Sequence, residues 1–194
     1  MPSNAADSRV GATIRSLLVD LDGTLFNTLE ANIAAYREAF DNSHVVFSEK
    51  SYRTNFGLGF NDLIKAIAPD LPLAAQEKIK QDKARLYPGF FSLVIPNHPL
   101  ISFLEMQKKS CRIVLVSTAS RENGEAILEH FEKKALFEMC FFREDVARSK
   151  PAPDVYLKAI DWLGTDASEC LAFEDSDHGI QSARAAGVQV IPIL

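Results

Sequence analysis

A small set of oxygen-bearing and cationic side chains in this sequence could do chemistry together. An apolar run from Ile14 to Val19, broken by Arg15 and Ser16, ends on Asp20 and Asp22, and Gly23 and Thr24 follow at once. The run Arg112-Ile-Val-Leu-Val-Ser117 ends on two hydroxyls, Ser117 and Thr118. The run Cys170 to Phe173 ends on Glu174 and Asp175, and Lys150 stands in a polar loop before a proline-led helix. Carboxylates such as Asp20, Asp22, Glu174 and Asp175 make an oxygen-rich pocket for a hard cation, with Mg²⁺ the first choice. Ser117, Lys150 and the amides of the turns offer donors to an anion. A dication, a carboxylate nucleophile and a cationic clamp are together what phosphoryl transfer requires. Taken singly, each element has an ordinary structural use: Asp-Gly-Thr as a turn, Ser117 closing a strand, Glu174-Asp175-Ser176 capping a helix, Lys150 as a solvated lysine.

The elements that must bring these residues together are short buried strands. Continuous apolar runs read as strands covered on both faces. Five are expected: one ending at Asp20, then Arg112 to Ser117, Met139 to Phe142, Cys170 to Phe173 and Val188 to Ile193. Helical patterns alternate with them, at Leu100 to about Lys109, Arg121 to Phe131, Pro153 to Leu163 and Asp177 to Ala186. Such alternation implies an α/β fold, a Rossmann-like parallel five-stranded sheet with helices on both faces. In such a sheet the carboxyl ends of the strands share one edge, where ligands bind.

Residues 28–95 differ in character. Strand-like runs are missing there. Asn27 is placed to cap a helix with Glu30 at its third position and an apolar face of Leu29, Ile33, Tyr36 and Phe40. Asn61 and Asp62 open a short helix carrying Leu63, Ile64 and Ile67, and Pro72 to Tyr87 reads as a charged helix with Leu73, Ile79 and Leu86 on a thin apolar face. This block is expected to be an inserted α-helical cap, with residues 14–27 and 96–194 forming the core and residues 1–13 a flexible lead-in.

The bulk numbers narrow the class. The chain has 194 residues, 47% hydrophobic and 24% charged, with a net charge of -5. That is ordinary for a globular protein and lacks the basic stripe of a nucleic-acid binder. No run is long enough to span a bilayer, and Met1 to Thr13 lack the apolar segment of a secretory signal. Cys111, Cys140 and Cys170 have no metal-type spacing and read as buried reduced thiols, which fits a cytoplasmic protein. Neither nucleic acid nor a membrane is an expected partner, the phosphoryl-transfer set points to a small phosphorylated metabolite, and the chain is expected to be a monomer or weak dimer.

The four elements resemble the motifs of the haloacid dehalogenase superfamily. Asp20-Leu-Asp22-Gly-Thr24 is similar to its first motif, Ser117 to its second, Lys150-Pro151-Ala-Pro153-Asp154 to its third, and Phe173-Glu174-Asp175-Ser176 with Gly179-Ile180 to its fourth. The resemblance spans about Ile14 to Leu194, and the helical block sits where members with a small cap carry it. It implies a Mg²⁺-dependent phosphatase of small phosphomonoesters, with sugar phosphates as the expected class. Asp20 would be the nucleophile that forms an aspartyl phosphate, and Asp22 the acid and then the base. Asp20, the Asp22 carbonyl, Asp175 and Glu174 would hold the metal, and Ser117 and Lys150 the phosphoryl oxygens. Thr24, Thr118 and Ala119 join the substrate side, with Asn27, Arg53 and the Phe56-Gly-Leu-Gly-Phe60 stretch as cap candidates.

Rival readings follow from the same comparison. Metal-independent dehalogenases of the superfamily lack an acid two residues past the nucleophile, and Asp22 argues against them. A phosphonate hydrolase needs a cap lysine for a Schiff base, and neither Lys50 nor Lys65 stands out. The β-phosphoglucomutase branch shares a Ser-x-Ala-Ser-type second motif, Ser117 to Ser120, but carries a histidine on the first cap helix where this chain has Asn32. A non-catalytic phospho-ligand module is the alternative from another class, and it conflicts with the retention of Asp20, Asp22, Lys150 and Asp175. Ending soon after its fifth strand, the chain also resembles small phosphatases of fructose 1-phosphate or 6-phosphogluconate. His178 is expected in the first turn of a helix, and His44 and His98 have no evident partner.

Overall fold

The computed structural model describes residues 13–194. The lead-in expected over residues 1–13 lies, but for its last residue, outside the described residues. In chain order the elements are β1 (Ser16–Val19), β2 (Phe26–Asn27), α1 (Leu29–Asp41), α2 (Glu49–Thr54), α3 (Phe60–Ile67), α4 (Leu73–Leu86), β3 (Ile95–Pro96) and α5 (His98–Gln107). There follow β4 (Arg112–Val116), α6 (Arg121–His130), β5 (Met139–Phe141), α7 (Asp154–Leu163), β6 (Cys170–Glu174), α8 (Asp177–Ala185) and β7 (Gln189–Pro192). The main sheet has the order β5-β4-β1-β6-β7, and every pair in it is parallel.

Strand periodicity explains the layers. Leu17 and Val19 of β1 point to one face with Ile113 and Leu115 of β4 and Phe173 of β6, and α5 and α6 bury Leu100, Leu104, Ile127 and Leu128 against them. Leu18, Val114, Val116 and Ala172 point to the other face, where α7 and α8 bring Val155, Tyr156, Ala159 and Ala183. With both faces covered, the central strands need no polar alternation, which is why they read as continuous apolar runs.

Helices α1 to α4 lie between β2 and β3, which pair antiparallel where the chain leaves the sheet and returns to it. Their own core gathers Ile33, Tyr36, Phe40, Tyr52, Leu63, Ile64 and Ile79. Several local expectations shift. Thr28, not Asn27, is the N-cap residue of α1; its hydroxyl makes no capping bond and donates to Asp22. α5 starts at His98 under an Asn97 cap, two residues before the expected start. Leu73 is 81% exposed and takes no part in the apolar face of α4. α2 was not expected; Ser48 caps it by accepting from the Ser51 amide.

One packing contact fixes the helix that follows Ser117. A side chain on Gly124 of α6 would place its Cβ 2.1 Å from Phe142 Cε1, and that ring is fully buried. Helix propensity would favour alanine there by about 1 kcal/mol, whereas overpacking a filled core costs about 1–3 kcal/mol. Gly124→Ala is therefore expected to lower the urea midpoint, and an unchanged or higher midpoint would show that the ring yields freely.

Candidate active site

Asp20 follows the last residue of β1, the central strand. Val19 pairs with Leu115 on one side and Phe173 on the other, so Asp20 stands level with Val116 and Glu174. Its amide donates to Phe173 O at 3.1 Å, which holds the backbone in the sheet to its end. Lys150 arrives from the loop before α7 and is 4% exposed. Its ammonium donates to Asp20 Oδ1 at 2.6 Å, to Val116 O at 3.0 Å and to Glu174 Oε1. The strand-end geometry thus brings together three of the groups that the sequence scatters over 155 positions.

The charge balance is uneven. Oxygens of Asp20, Glu174 and Asp175 lie within 4.8 Å of one another. Three carboxylates face one ammonium, leaving two negative charges uncompensated when all are ionised. Burial, then the Glu174 charge, push the Asp20 carboxyl well above its ordinary range, with Lys150 opposing. Burial pushes Asp175 up to about 6, opposed chiefly by the hydrogen bond from Thr24. Burial alone would lower Lys150, but Asp20 and Glu174 overcome it and hold the ammonium charged. Glu174 Oε2 is buried and has no hydrogen-bond partner. An orphaned buried oxygen beside surplus negative charge is what a divalent cation would satisfy, and an all-oxygen donor set fits Mg²⁺.

Glycines make the approach possible. Gly23 has φ +90°, and a Cβ there would fall 1.9 Å from Asp175 Oδ2. A Cβ on Gly179 of α8 would fall 1.9 Å from Glu174 Oε2. Thr24 is buried and donates to Asp175 Oδ1 at 3.0 Å. The structure thus places the Thr24 hydroxyl, expected on the substrate side, on a carboxylate of the acid cluster.

Asp22 faces the other way. It lines a cavity of about 530 Å³ between the sheet edge and the helical block, with Asn32, Thr118, Ala119 and Ser120. Thr28 Oγ1 donates to Asp22 Oδ1, and Asn32 Nδ2 lies 3.5 Å from the same oxygen and 3.1 Å from Thr28 O. Ser117 is buried and accepts from the Ala119 amide at 3.0 Å, which keeps the hydroxyl proton for donation. Thr118 donates to Gly57 O at 3.3 Å, tying the Phe56–Phe60 loop to the end of β4.

Two cap candidates lie elsewhere. Arg53 is spent on ion pairs with Glu30 and Glu49, both at 2.8 Å, at the surface and away from the cavity. Asn27 is exposed, and its Oδ1 accepts from the Leu29 amide. The cavity instead carries Lys83 of α4, a cation that sequence reasoning passed over. Lys83 is 6% exposed, with its ammonium 3.9 Å from the Tyr87 ring centre and 5.4 Å from that of Tyr36. Burial pushes it down to about 8, and Asp22 opposes the shift. The missed signal was spacing: Lys83 is four residues after Ile79 and four before Tyr87, on the apolar face of a charged helix. Tyr156, which the sequence did not single out, donates its hydroxyl to Glu174 Oε1.

The family follows from comparison with known proteins. A family model described as haloacid dehalogenase-like hydrolase matches residues 17–193, and the chain belongs to that family. Protein CbbY of Rhodobacter capsulatus is 32% identical, over 92% of this chain and 84% of that one. The fructose-1-phosphate phosphatase YqaB of Escherichia coli is 27% identical, over 91% and 95%. A mutant of CbbY from Rhodobacter sphaeroides, solved with xylulose-(1,5)bisphosphate, shares the fold with a TM-score of 0.82 at 23% identity, over 94% of this chain and 88% of that one. Among the described residues no helix is long and apolar enough to cross a membrane.

The acid cluster has a measurable consequence. The folded pKa of Asp175, about 6, lies above its ordinary 3.8. Its contribution to stability is therefore present below about pH 4 and is lost as pH rises through about 6. In metal-free protein, Asp175→Asn removes that loss. The variant is expected to melt above the wild type at pH 7, with the difference closing by pH 4. A difference independent of pH would refute the assignment.

Proposed function

We propose that this chain is a Mg²⁺-dependent phosphatase that hydrolyses a sugar phosphate through an aspartyl phosphate on Asp20. One observation carries the reading: a buried Lys150 bridging Asp20 and Glu174 beside Asp175, with Asp22 on the cavity side of the same turn. The names of the relatives support the substrate class. One is a fructose-1-phosphate phosphatase, and another was solved with a sugar bisphosphate.

In the first step the Asp20 carboxylate attacks phosphorus and the bond to the sugar oxygen breaks. Asp22 gives that oxygen its proton. Lys150 and Ser117 donate to the phosphoryl oxygens as charge moves onto them. In the second step Asp22 takes a proton from water, the water oxygen attacks phosphorus, and Asp20 leaves as a carboxylate with inorganic phosphate. Thr28 and Asn32 hold Asp22 for both roles. Asp20, the Asp22 carbonyl, Asp175 and Glu174 would hold the Mg²⁺, which supplies positive charge against the phosphoryl group. The helical block at residues 28–95 acts as the cap that excludes water, and its aromatic wall of Tyr36, Tyr52, Phe56, Phe60 and Tyr87 suits a sugar ring. Lys83 is the cap cation that reaches the sugar's polar groups. Asn32 supports hydrolysis over mutase chemistry, because a side-chain amide beside Asp22 cannot shuttle a proton as a histidine can.

Purified protein with Mg²⁺ is expected to release phosphate from members of a sugar-phosphate panel, and Asp20→Asn to release none above background. Equal release by both would end the hydrolase reading. Conversion of β-glucose 1-phosphate to glucose 6-phosphate without free phosphate would move it to the mutase branch.

Lys83 gives a second test. Loss of one charge-assisted hydrogen bond costs about 1.5–3 kcal/mol, so Lys83→Met is expected to raise KM roughly 10–100-fold with a smaller change in kcat. In the wild type, kcat/KM is expected to fall as pH rises through about 8, where Lys83 loses its proton. That alkaline limb should be absent from Lys83→Met, and its persistence there would assign it to another group.

A further inference from the structure

Tyr156 is a fully buried residue of α7, packed among Leu18, Val114, Val155 and Ala159. A phenylalanine would fill that space, so packing does not account for the hydroxyl. Burying a hydroxyl is unfavourable unless it finds a partner. Here the partner is Glu174 Oε1, the oxygen that also accepts from Lys150. Both donors come from one stretch, since α7 begins four residues after Lys150. The Lys150 ammonium also lies 5.5 Å from the centre of the Tyr156 ring. The loop between them is tied to α8 by Ser182 Oγ donating to Ala152 O at 2.6 Å. Glu174 is thus saturated on Oε1, while Oε2 lies against Gly179 with no partner.

We propose that Tyr156 is a positioning residue for the cation: its phenol fixes Glu174 through Oε1 and so reserves Oε2 for a divalent cation or the water bound to it. The inference rests on the reading that Glu174 and Asp175 hold that cation. A carboxylate held by two donors on one oxygen keeps a single orientation. Without the phenol, Lys150 alone must orient Glu174 while also serving Asp20 and Val116. Partners that orient metal ligands in this way change affinity about 10–100-fold when removed.

The test is calorimetric titration of the whole chain with MgCl₂, independent of turnover. Tyr156→Phe is expected to fold, to keep the far-ultraviolet spectrum of the wild type, and to bind Mg²⁺ about 10–100-fold more weakly. In steady-state assays the Mg²⁺ concentration for half-maximal rate rises by a similar factor, while kcat at saturating Mg²⁺ changes far less. A double-mutant cycle with Glu174→Gln separates positioning from packing: Tyr156→Phe should add little to the affinity loss already caused by Glu174→Gln. Unchanged Mg²⁺ affinity in Tyr156→Phe, fully additive losses in the cycle, or a Tyr156→Phe chain that fails to fold would each overturn the inference. A wild type that does not bind Mg²⁺ would instead overturn the underlying cation reading.

Discussion

The structure turns on one buried ammonium shared between two carboxylates. Lys150 touches Asp20 and Glu174 at once, with Asp175 close by. One cation cannot neutralise three anions in a water-poor setting; burial first, and the Glu174 charge after it, raise the pKa of Asp20 and Asp175. Removing the lysine would leave the buried carboxylates with no counter-charge, which is strongly unfavourable. The lysine holds Asp20 Oδ1, and the surplus negative charge beside it suits a divalent cation. Stability of the metal-free fold is given up at this edge, and the site gains a preorganised field in exchange.

Much of the surrounding architecture follows from holding that cluster together. The central position of β1 gives Asp20 a neighbour on each side, so hydroxyls arrive from β4 and acids from β6. Gly23 and Gly179 are backbone solutions to a crowding problem, because a side chain at either would occupy the space of a carboxylate oxygen. Thr24 and Thr28 divide the acids between them: one hydroxyl steadies Asp175, the other Asp22. The result is two carboxyl populations a few residues apart. Asp20, Glu174 and Asp175 lie together at the sheet edge, and Asp22 looks into the cavity under the helical block.

The sheet was legible in the sequence because burial on both faces forces unbroken apolar runs, and the strand ends were legible because polar groups interrupt those runs abruptly. Asp20, Ser117, Glu174 and Asp175 stood out that way, and the structure brings Asp20, Glu174 and Asp175 together with Lys150. What escaped was decided by packing between distant segments. Lys83 sits in a helix crowded with Lys78, Lys80 and Arg85, and nothing but its shared face with Ile79 marks it as inward. Tyr156 looks like any core aromatic until β6 places Glu174 beside its hydroxyl. Arg53 differs in the opposite sense: the structure pairs it at the surface with Glu49, four residues earlier, and with Glu30. β2 and β3 are two residues each, too short to show any period.

The central claim is that Asp20 itself takes the phosphoryl group. Its most direct measurement is acid quenching of the enzyme during turnover of an active sugar phosphate, followed by peptide mass spectrometry. The expected result is a phosphoryl group on the peptide containing Asp20, removed by hydroxylamine as an acyl phosphate must be. Steady release of phosphate with no phosphoenzyme at any quench time, or a phosphoryl group on a different residue, would contradict it.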